Sequence, residues 1–461
     1  MRTPSHSVEL PDTHQGLPPG PGGLPWSGLA LLRDPLGNLT QAHARYGDAM
    51  TFRVGPLRFV AVADPALAQH VLVRNHRNYV KSRSYAGLRL VLGNGLVTSE
   101  GEVWRRQRKL AQPAFHRQRL ARLAETMATC VDERMGEWAA RSDTAIDIHG
   151  EMMQLTLRIV ARTLFGTDLA ADGGDVLAQL GPAVTEALHK AEQYAESLIR
   201  LPLWLPTSSN RRFAKAKKLL DGIVHGIIER RRSGGEAHDD VLGMLMSATD
   251  EHDGGSMDDA QLRDEVMTLF MAGHETIATA STWTLLLLHQ HPEIAARVRD
   301  EARSVLAGRA PSFDDLPRLP YLGQVIDESM RLYPPVWIVE RQALAEDQLG
   351  PWRIPKDTIV GVSPWLMHRH PGLWDEPLRF DPDRFAPERL QERAKLAYLP
   401  FGAGPRICIG NHFALMEAKI ILATIVQRWS ISVDAPEAVR FDPSVTLRPA
   451  GGLPGRLHAL A

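Results

Sequence analysis

The sequence predicts a mainly α fold with a small β-rich region, that is, an α+β protein. Helical periodicity continues from about Gly101 to Arg303 and is broken only by short segments that contain glycine or proline. Strand patterns are short and lie near the two ends of the chain. Because no internal repeat or interdomain linker is visible, we expect an extended or disordered tether at residues 1–25 and a single domain at residues 26–461.

Each predicted element is justified by the spacing of its apolar side chains or by the turn residues that flank it. The longest helix has apolar residues at helical spacing over most of its length. In chain order the predicted elements are a helix at 35–46, a hairpin of strands at 50–53 and 57–62, a helix that begins at 64–65, the long helix at 257–290, strands at 352–354 and 358–362, and a final helix at about 409–429.

Composition excludes several classes of protein. A hydrophobic fraction of 44%, a charged fraction of 23% and a net charge of -1 are ordinary for a globular protein and predict no nucleic-acid partner. No apolar run approaches the roughly 18 to 20 residues of a membrane span, and none near the start forms a signal-peptide core. With only Cys130 and Cys408, the chain builds no disulfide framework, so we expect a reducing, cytoplasmic location.

The clearest chemical signal is the segment FGAGPRICIG at residues 401–410, in which Phe401, Gly402, Arg406 and Gly410 surround Cys408. Its glycines let the backbone approach a flat ligand closely, and the amides at the start of the next helix stabilise a thiolate. Such a sulfur is a good soft ligand for iron. Cys130 lies in an ordinary helical run, so we expect it to be buried and inert.

A second signal is the stretch from Ala272 to Thr276, in the middle of the predicted long helix. A glycine inside a helix costs about 1 kcal/mol relative to alanine, so Gly273 indicates that something comes close to the backbone there. The adjacent Glu275 and Thr276 could pass protons. A kinked helix with a satisfied hydroxyl is the alternative, and we expect His274 to be solvated or hydrogen-bonded and not a metal ligand.

Residues 401–410 resemble the haem-binding signature of the cytochrome P-450 family, with the aromatic residue, the glycines, the arginine and the cysteine in register. Further landmarks of the family follow in the expected order from about Trp104 to Gly410. The resemblance implies a haem-thiolate monooxygenase in which haem b lies between the long central helix and the helix after the cysteine loop. It also implies that Cys408 holds the iron.

The resemblance assigns the remaining site residues. It implies that Thr276 and Glu275 assist oxygen activation as catalytic residues, although Ile277 stands where many relatives carry a second hydroxyl. Trp104 and Arg108 match the pair that binds the haem propionates, which suit the planar donors of arginine. The full set of expected cofactor contacts is Trp104, Arg108, Ala272, Gly273, Arg341, Phe401, Gly402, Arg406, Cys408 and Gly410, and Glu328, Arg331 and Arg384 are expected to form a structural cluster.

The expected substrate is a lipophilic small molecule, a fatty acid or a terpenoid, which is oxidised with O2. The segments that the resemblance places on the substrate side are mostly apolar, among them residues 336–339 with Trp337. Ordinary core packing explains at least half of these residues equally well. The alternatives are a peroxide-using peroxygenase, a hydroperoxide isomerase or a non-enzymatic haem sensor on the same fold.

Electrons must come from separate proteins, because the chain has no dinucleotide fingerprint and no cysteine cluster for an iron-sulfur centre. We expect a ferredoxin or a flavodoxin with its reductase. A basic patch near the predicted propionate helix could dock such an acidic partner, and a solvated helix face is the alternative. The patch comprises Arg105, Arg106, Lys109, Arg117 and Arg119.

Overall fold

Helices make up most of the described chain. The computed structural model describes residues 16–21, 27–141, 143–166, 175–197, 200–233, 240–248, 256–391 and 393–460. The mainly α fold with a small β-rich region is confirmed. In chain order the helices and strands are α1 (Leu29–Arg33), α2 (Pro35–Tyr46), β1 (Ala49–Val54), β2 (Leu57–Val62), α3 (Pro65–Gln69), β3 (Tyr79–Lys81), α4 (Tyr85–Leu92), α5 (Gly101–Ala111), α6 (Arg117–Ala139), β4 (Ala145–Asp147), α7 (Ile148–Phe165), α8 (Asp175–Glu196), α9 (Ser208–Ser233), α10 (Val241–Ser247), α11 (Asp259–Gln290), α12 (Pro292–Leu306), α13 (Pro320–Leu332), β5 (Val339–Ala343), β6 (Asp347–Leu349), β7 (Trp352–Ile354), β8 (Ile359–Val362), α14 (Pro364–Met367), α15 (Pro387–Leu390), α16 (Asn411–Arg428), β9 (Trp429–Val433), β10 (Phe441–Pro443), β11 (Leu447–Pro449) and β12 (Pro454–Ala459).

The contacts divide the chain into two compact units. Unit 1 comprises Met1–Arg83, Trp337–Arg379 and Glu392–Ile407, and unit 2 comprises Ser84–Val336, Phe380–Gln391 and Cys408–Ala461. Each unit is built from three separate stretches of chain, so the division does not follow a linker in the sequence. A single domain over residues 26–461 stays a prediction.

Unit 1 is organised around a five-stranded sheet with the order β1-β2-β8-β5-β3. The predicted hairpin is present, since β1 and β2 pair antiparallel and turn at Gly55, whose φ is +59°. Strand β8 pairs parallel with β2 and antiparallel with β5. Val60 and Val62 of β2 are buried in the core of unit 1.

The predicted tether at residues 1–25 lies outside the described residues at 1–15 and 22–25. The described part contacts the sheet: Thr51 donates from its backbone N to Pro19 O and from Oγ1 to Pro18 O, both at 2.8 Å. Leu17 is buried. This part of the segment is therefore attached to β1.

Unit 2 is built around α11, which packs against α7, α9, α13 and α16. The helix begins after Asp258, whose carboxylate accepts a hydrogen bond from Gln261 N at 2.7 Å, and this N-cap explains a start two residues later than predicted. The sequence pattern indicated one apolar face. Instead, α11 is buried on all sides from Glu265 to Leu288 except at three positions, because helices surround it.

The final predicted helix is confirmed with a slightly later start. Gly410 precedes the first residue of α16, Asn411, so Cys408 lies just before the helix and not within it. Among the described residues, no helix combines the length and apolar character that crossing a bilayer requires.

Candidate active site around Cys408 and the long helix

The three open positions of α11 are Ala272, Gly273 and Thr276. Ala272 is exposed and the other two are partly exposed, while every other residue between Glu265 and Leu288 is buried. Thr276 Oγ1 donates to Ala272 O at 2.8 Å. Because these positions are accessible in the middle of a helix that is otherwise enclosed, they face a cavity.

Gly273 packs closely against α7. A Cβ added at this glycine would lie 3.0 Å from Val160 Cγ2, closer than ordinary van der Waals contact. We predicted that another group comes close to the backbone at Gly273. Val160 of α7 is such a group, and a ligand in the cavity would be another.

The side chain of Cys408 is accessible and is also surrounded by protein. Its side chain is exposed, yet burial by surrounding protein raises the pKa of its thiol above the ordinary value. The backbone N–H of Gly410 donates to the sulfur, and the positive charge of Arg108 lies near enough to favour the thiolate. A side chain that is accessible and at the same time surrounded by protein faces a cavity, so this sulfur is available to a ligand.

Arg108 and Trp104 lie one turn apart on α5 and line the same cleft of about 360 Å³. Burial lowers the pKa of Arg108, and the charge of Cys408 acts in the opposite direction. The structure thus brings two of the predicted propionate-binding side chains together, and places one of them near the predicted iron ligand.

The loop before Cys408 belongs to unit 1, where glycines shape it. Gly402 and Gly404 have φ values of +70° and +71°, which side chains rarely tolerate. A Cβ on Gly404 would lie 2.0 Å from the backbone O of Leu72, so only glycine fits at this contact. Phe401 and Arg406 are partly buried on the same loop.

Arg341 is the remaining predicted cofactor contact. It is nearly buried on β5, and its Nη1 donates to Glu340 O at 2.8 Å. With Phe401, Gly402 and Arg406 it belongs to unit 1, whereas all the other predicted site residues belong to unit 2.

Glu275 lies on a buried side of α11 within a polar network. Its Oε1 accepts from Thr446 Oγ1 at 2.8 Å and lies 4.0 Å from Arg448 Nη1. Arg448 Nε in turn donates at 2.8 Å to Asp442, a partly exposed carboxylate. Burial raises the pKa of Glu275, although Thr446 and Arg448 oppose this shift. The carboxyl therefore keeps its proton to a higher pH than an exposed glutamate does, and a charged pair lies between it and the surface.

No local pattern in the chain pairs Glu275 with Thr446 or Arg448. Thr446 and Arg448 lie more than 160 residues further along the chain, and nothing in their local pattern points to α11. They meet Glu275 only because the strand pair β10 and β11 packs beside that helix.

His274 is hydrogen-bonded, one of the two environments that we expected. Its Nδ1 donates to Phe270 O at 2.9 Å, and the residue is buried. Burial lowers the pKa of His274 to about 4. The imidazole is therefore neutral near pH 7, and no metal ligand role is indicated.

The predicted structural cluster is present in unit 2. Arg331 donates to Glu328 from Nε at 2.6 Å and from Nη2 at 2.8 Å, and both side chains are fully buried. Arg384 Nε lies 3.4 Å from Glu328 Oε1, and the backbone N of Asp381 donates to the same oxygen at 2.9 Å. The carboxylate of Glu328 therefore joins α13 to the segment around Arg384.

A second buried carboxyl lies near the start of α11, at Glu265. Its Oε2 accepts from Leu96 N at 3.1 Å, but its Oε1 has no partner. Burial raises the pKa of Glu265 from 4.5 to about 8. The folded protein therefore keeps a proton that the unfolded chain releases, and the contribution of Glu265 to stability falls as the pH rises from about 4.5 to about 8.

Replacement of Glu265 by glutamine removes this titration. We expect the stability of Glu265→Gln relative to wild type to rise between pH 4.5 and 8 by up to about 5 kcal/mol. Chemical denaturation across this pH range measures the difference. Glu102→Gln, at an exposed position, is the control and should leave the slope unchanged; an equal slope for Glu265→Gln and wild type would contradict the assignment.

Comparison with known proteins identifies the class. The cytochrome P450 family profile matches residues 18–452. Cyclooctatin synthase of Streptomyces melanosporofaciens is 39% identical over 435 residues, which cover 93% of this chain and 92% of that protein. Cyclooctat-9-en-7-ol 5-monooxygenase of the same organism is 37% identical over 431 residues, with coverage of 93% and 92%. The solved haem domain of cytochrome P450DA superposes with a TM-score of 0.87 at 26% identity, covering 96% of this chain and 98% of that one.

The chain therefore belongs to the cytochrome P450 family. It is a cytochrome P450 monooxygenase, and the cofactor of this family is haem.

The residues present fit a haem. Cys408 offers a soft sulfur ligand that faces a cavity, and Arg108 offers a partly buried cation for a carboxylate. The open stretch of α11 includes Ala272, whose small exposed side chain leaves room for a flat ring.

Proposed function

We propose that this monooxygenase oxidises a terpenoid, using haem b held through Cys408. The observation that carries the proposal is the opening in α11, where Ala272, Gly273 and Thr276 are accessible in an otherwise buried helix. An oxidation site needs such an opening for its substrate and for O2. The two relatives described above, at 39% and 37% identity, are terpenoid-oxidising enzymes, which supports a terpenoid over a fatty acid.

The proposal assigns the predicted site residues as follows. Cys408 supplies the thiolate that holds the iron, and Gly410 N–H and Arg108 stabilise its negative charge. Arginine side chains and an indole N–H suit the haem propionates, and small or aromatic residues suit the flat ring. The first group comprises Trp104, Arg108, Arg341 and Arg406, and the second comprises Ala272, Gly273, Phe401, Gly402 and Gly410.

Haem bound at Cys408 would supply the redox-active iron that activates O2. We propose that Thr276, whose hydroxyl donates to Ala272 O, can turn to donate a hydrogen bond into the cavity. Burial raises the pKa of Glu275, the residue before Thr276, and so favours its protonated form. We assign Glu275 as the proton donor on the α11 side, with reprotonation from the solvent near Asp442.

We propose that the electrons come from separate redox proteins, namely a ferredoxin or a flavodoxin with its reductase. The predicted basic patch on and after α5 supports an acidic partner: Arg105 and Lys109 are exposed there. Arg105 is paired with Glu102, so its charge is partly balanced. We also propose a cytoplasmic location, supported by the two free cysteines, Cys130 and Cys408.

A reconstitution tests the proposed reaction. The purified protein is supplied with a ferredoxin, its reductase, a nicotinamide cofactor and isotopically labelled O2, together with terpenoids or with fatty acids of matched carbon number. We expect a terpenoid product that carries one labelled oxygen atom. Turnover of fatty acids alone would overturn the substrate class, and turnover with hydrogen peroxide but not with the electron supply would establish a peroxygenase instead.

Glu275→Gln should slow product formation by about a hundredfold, because the amide cannot give up a proton in the same way. The solvent isotope effect on product formation should change as well, which a purely structural defect would not produce. Glu265→Gln is the matched control, since it removes another buried carboxyl of the same helix and should retain activity. Unchanged turnover and isotope effect in Glu275→Gln would remove Glu275 from the proton path.

A further inference from the structure

The sheet formed by β4, β12 and β9 has an outer face that carries polar side chains. The strands pair antiparallel in this order. Leu457 of β12 is fully buried, so its neighbours Arg456 and His458 lie on the opposite, outer face, because side chains alternate along a strand. In the pairing register, Ser432 of β9 lies opposite Arg456 and diagonally across from His458. These three side chains therefore share the outer face.

A serine, a histidine and an aspartate are joined by hydrogen bonds on this face. Ser432 Oγ lies 2.9 Å from His458 Nε2, and His458 Nδ1 lies 2.7 Å from Asp143 Oδ1. A carboxylate only accepts hydrogen bonds, so Nδ1 of the neutral imidazole carries the proton and Nε2 holds a lone pair. The serine hydroxyl therefore donates to Nε2. This is the arrangement in which an imidazole acts as a general base towards a hydroxyl.

The backbone around Asp143 holds this residue beside β12. Asp143 N donates to Leu457 O at 2.9 Å, and Arg456 Nη1 donates to Asp143 O at 3.1 Å. The φ of Asp143 is +60°, in the left-handed region that aspartate enters more readily than most residues. Both backbone groups and the side chain of Asp143 thus contact β12. The carboxylate is therefore fixed where it orients the imidazole of His458.

A cation lies beside the serine. Arg456 is the register partner of Ser432, and its side chain is exposed on the same face. A guanidinium has five N–H donors, and the hydrogen bond to Asp143 O uses one of them. Such donors stabilise the negative charge that develops on a carbonyl oxygen when a hydroxyl attacks it. The outer face therefore offers a nucleophile, a base, a carboxylate that orients the base and a donor for an oxyanion.

We propose that Ser432, His458 and Asp143 form a triad that hydrolyses small carboxylic esters, an activity separate from the haem-dependent reaction. Ser432 Oγ attacks the carbonyl carbon while its proton passes to His458 Nε2. The bond from this carbon to the leaving oxygen then breaks, and the alcohol departs with that proton. Water, deprotonated by the same nitrogen, cleaves the acyl-serine, which releases the acid and restores the hydroxyl. The reaction consumes only the ester and water.

The exposure of the triad determines which esters react. The side chains of His458 and Asp143 are 40% and 72% exposed. A substrate on an open face makes few contacts, so little binding energy is available to position it. The solvent also weakens the electrostatic stabilisation of an oxyanion. Esters with good leaving groups, such as aryl acetates, need the least stabilisation, and we expect them to react whereas amides do not.

Covalent labelling tests the inference without electrons, redox partners or a terpenoid. The purified holoprotein is treated with a fluorophosphonate, whose phosphorus–fluorine bond breaks when a serine oxygen attacks phosphorus, and peptide mass spectrometry locates the label. We expect the label on Ser432, and we expect para-nitrophenyl acetate to release nitrophenol with transient acetylation of the same residue. Absence of the label from Ser432 would overturn the proposal, whatever the outcome of the terpenoid reconstitution.

Variants of the triad distinguish an activated serine from one that is only accessible. His458→Ala should slow labelling of Ser432 about a hundredfold, because it removes the general base. Asp143→Asn should slow labelling about tenfold, because an amide also presents a donor to the ring. Ser430→Ala is the matched control on the same face of β9 and should react like wild type. Circular dichroism and the haem absorbance verify that each variant folds. Equal labelling rates in wild type and His458→Ala would overturn the proposal, as would unchanged ester hydrolysis in Ser432→Ala.

Discussion

Cys408→Ala will lose the strongly red-shifted Soret band that the reduced, carbon-monoxide-treated wild type is expected to show. The shift arises from an axial thiolate, and alanine has no ligand atom to replace the sulfur. Turnover with O2 should fall below detection in the same variant. The measurement is the absorbance difference spectrum of the reduced protein with and without carbon monoxide.

Cys130→Ala is the matched control for this prediction. Cys130 is buried on α6, and burial raises the pKa of its thiol to about 11, so it stays protonated and is a poor metal ligand. Its removal should leave the spectrum unchanged. If Cys408→Ala kept the shifted band, or if wild type loaded with haem showed only the unshifted one, the assignment of Cys408 as iron ligand would be wrong.

Glu328→Gln will destabilise the protein by about 3 to 5 kcal/mol, because it leaves buried arginine charge without its carboxylate. Arg331 is fully buried and Arg384 nearly so, and neither can turn to solvent. Haem content after purification should fall as well, since α13 is no longer joined to the segment around Arg384. Thermal unfolding and the ratio of haem to protein absorbance measure the two effects.

Glu376→Gln provides the comparison for the Glu328 variant. Glu376 also pairs with an arginine three residues later, Arg379, but both side chains are more than half exposed. A surface pair of this kind contributes at most about 1 kcal/mol. Similar losses of stability in Glu328→Gln and Glu376→Gln would show that the buried cluster is not important for the fold.

Features set by near neighbours in the chain were predicted well. Helix α2 has the predicted bounds, 35–46, and α11 differs only at its first residues. The special backbone before Cys408 was indicated by its glycines, and both Gly402 and Gly404 have positive φ. Local sequence determines these features because turn conformation and helix capping involve residues only a few positions apart.

Features that depend on distant residues could not be predicted. The burial of α11 on all sides follows from the helices around it, which its own pattern does not encode. The contact of Gly404 with Leu72, and the contacts of Glu275 with Thr446 and Arg448, join residues that are far apart in sequence. The proposed set of haem-binding residues came from resemblance to a family, since an arginine in a sequence does not reveal which carboxylate it will meet.

The pairing of β2 with β8 has a consequence for how the chain is made. Phe59 of β2 lies opposite Ile359 of β8. The edge of β2 that pairs with β8 therefore has no partner strand until a segment 300 residues downstream has been synthesised. At roughly 5 to 20 residues per second, a ribosome needs about 15 to 60 seconds to deliver that strand. During this interval the backbone groups of β2 that face β8 are unpaired, and an unpaired strand edge is a template for aggregation. We therefore expect this edge to be the part of the nascent sheet most prone to aggregation until synthesis has passed residue 362.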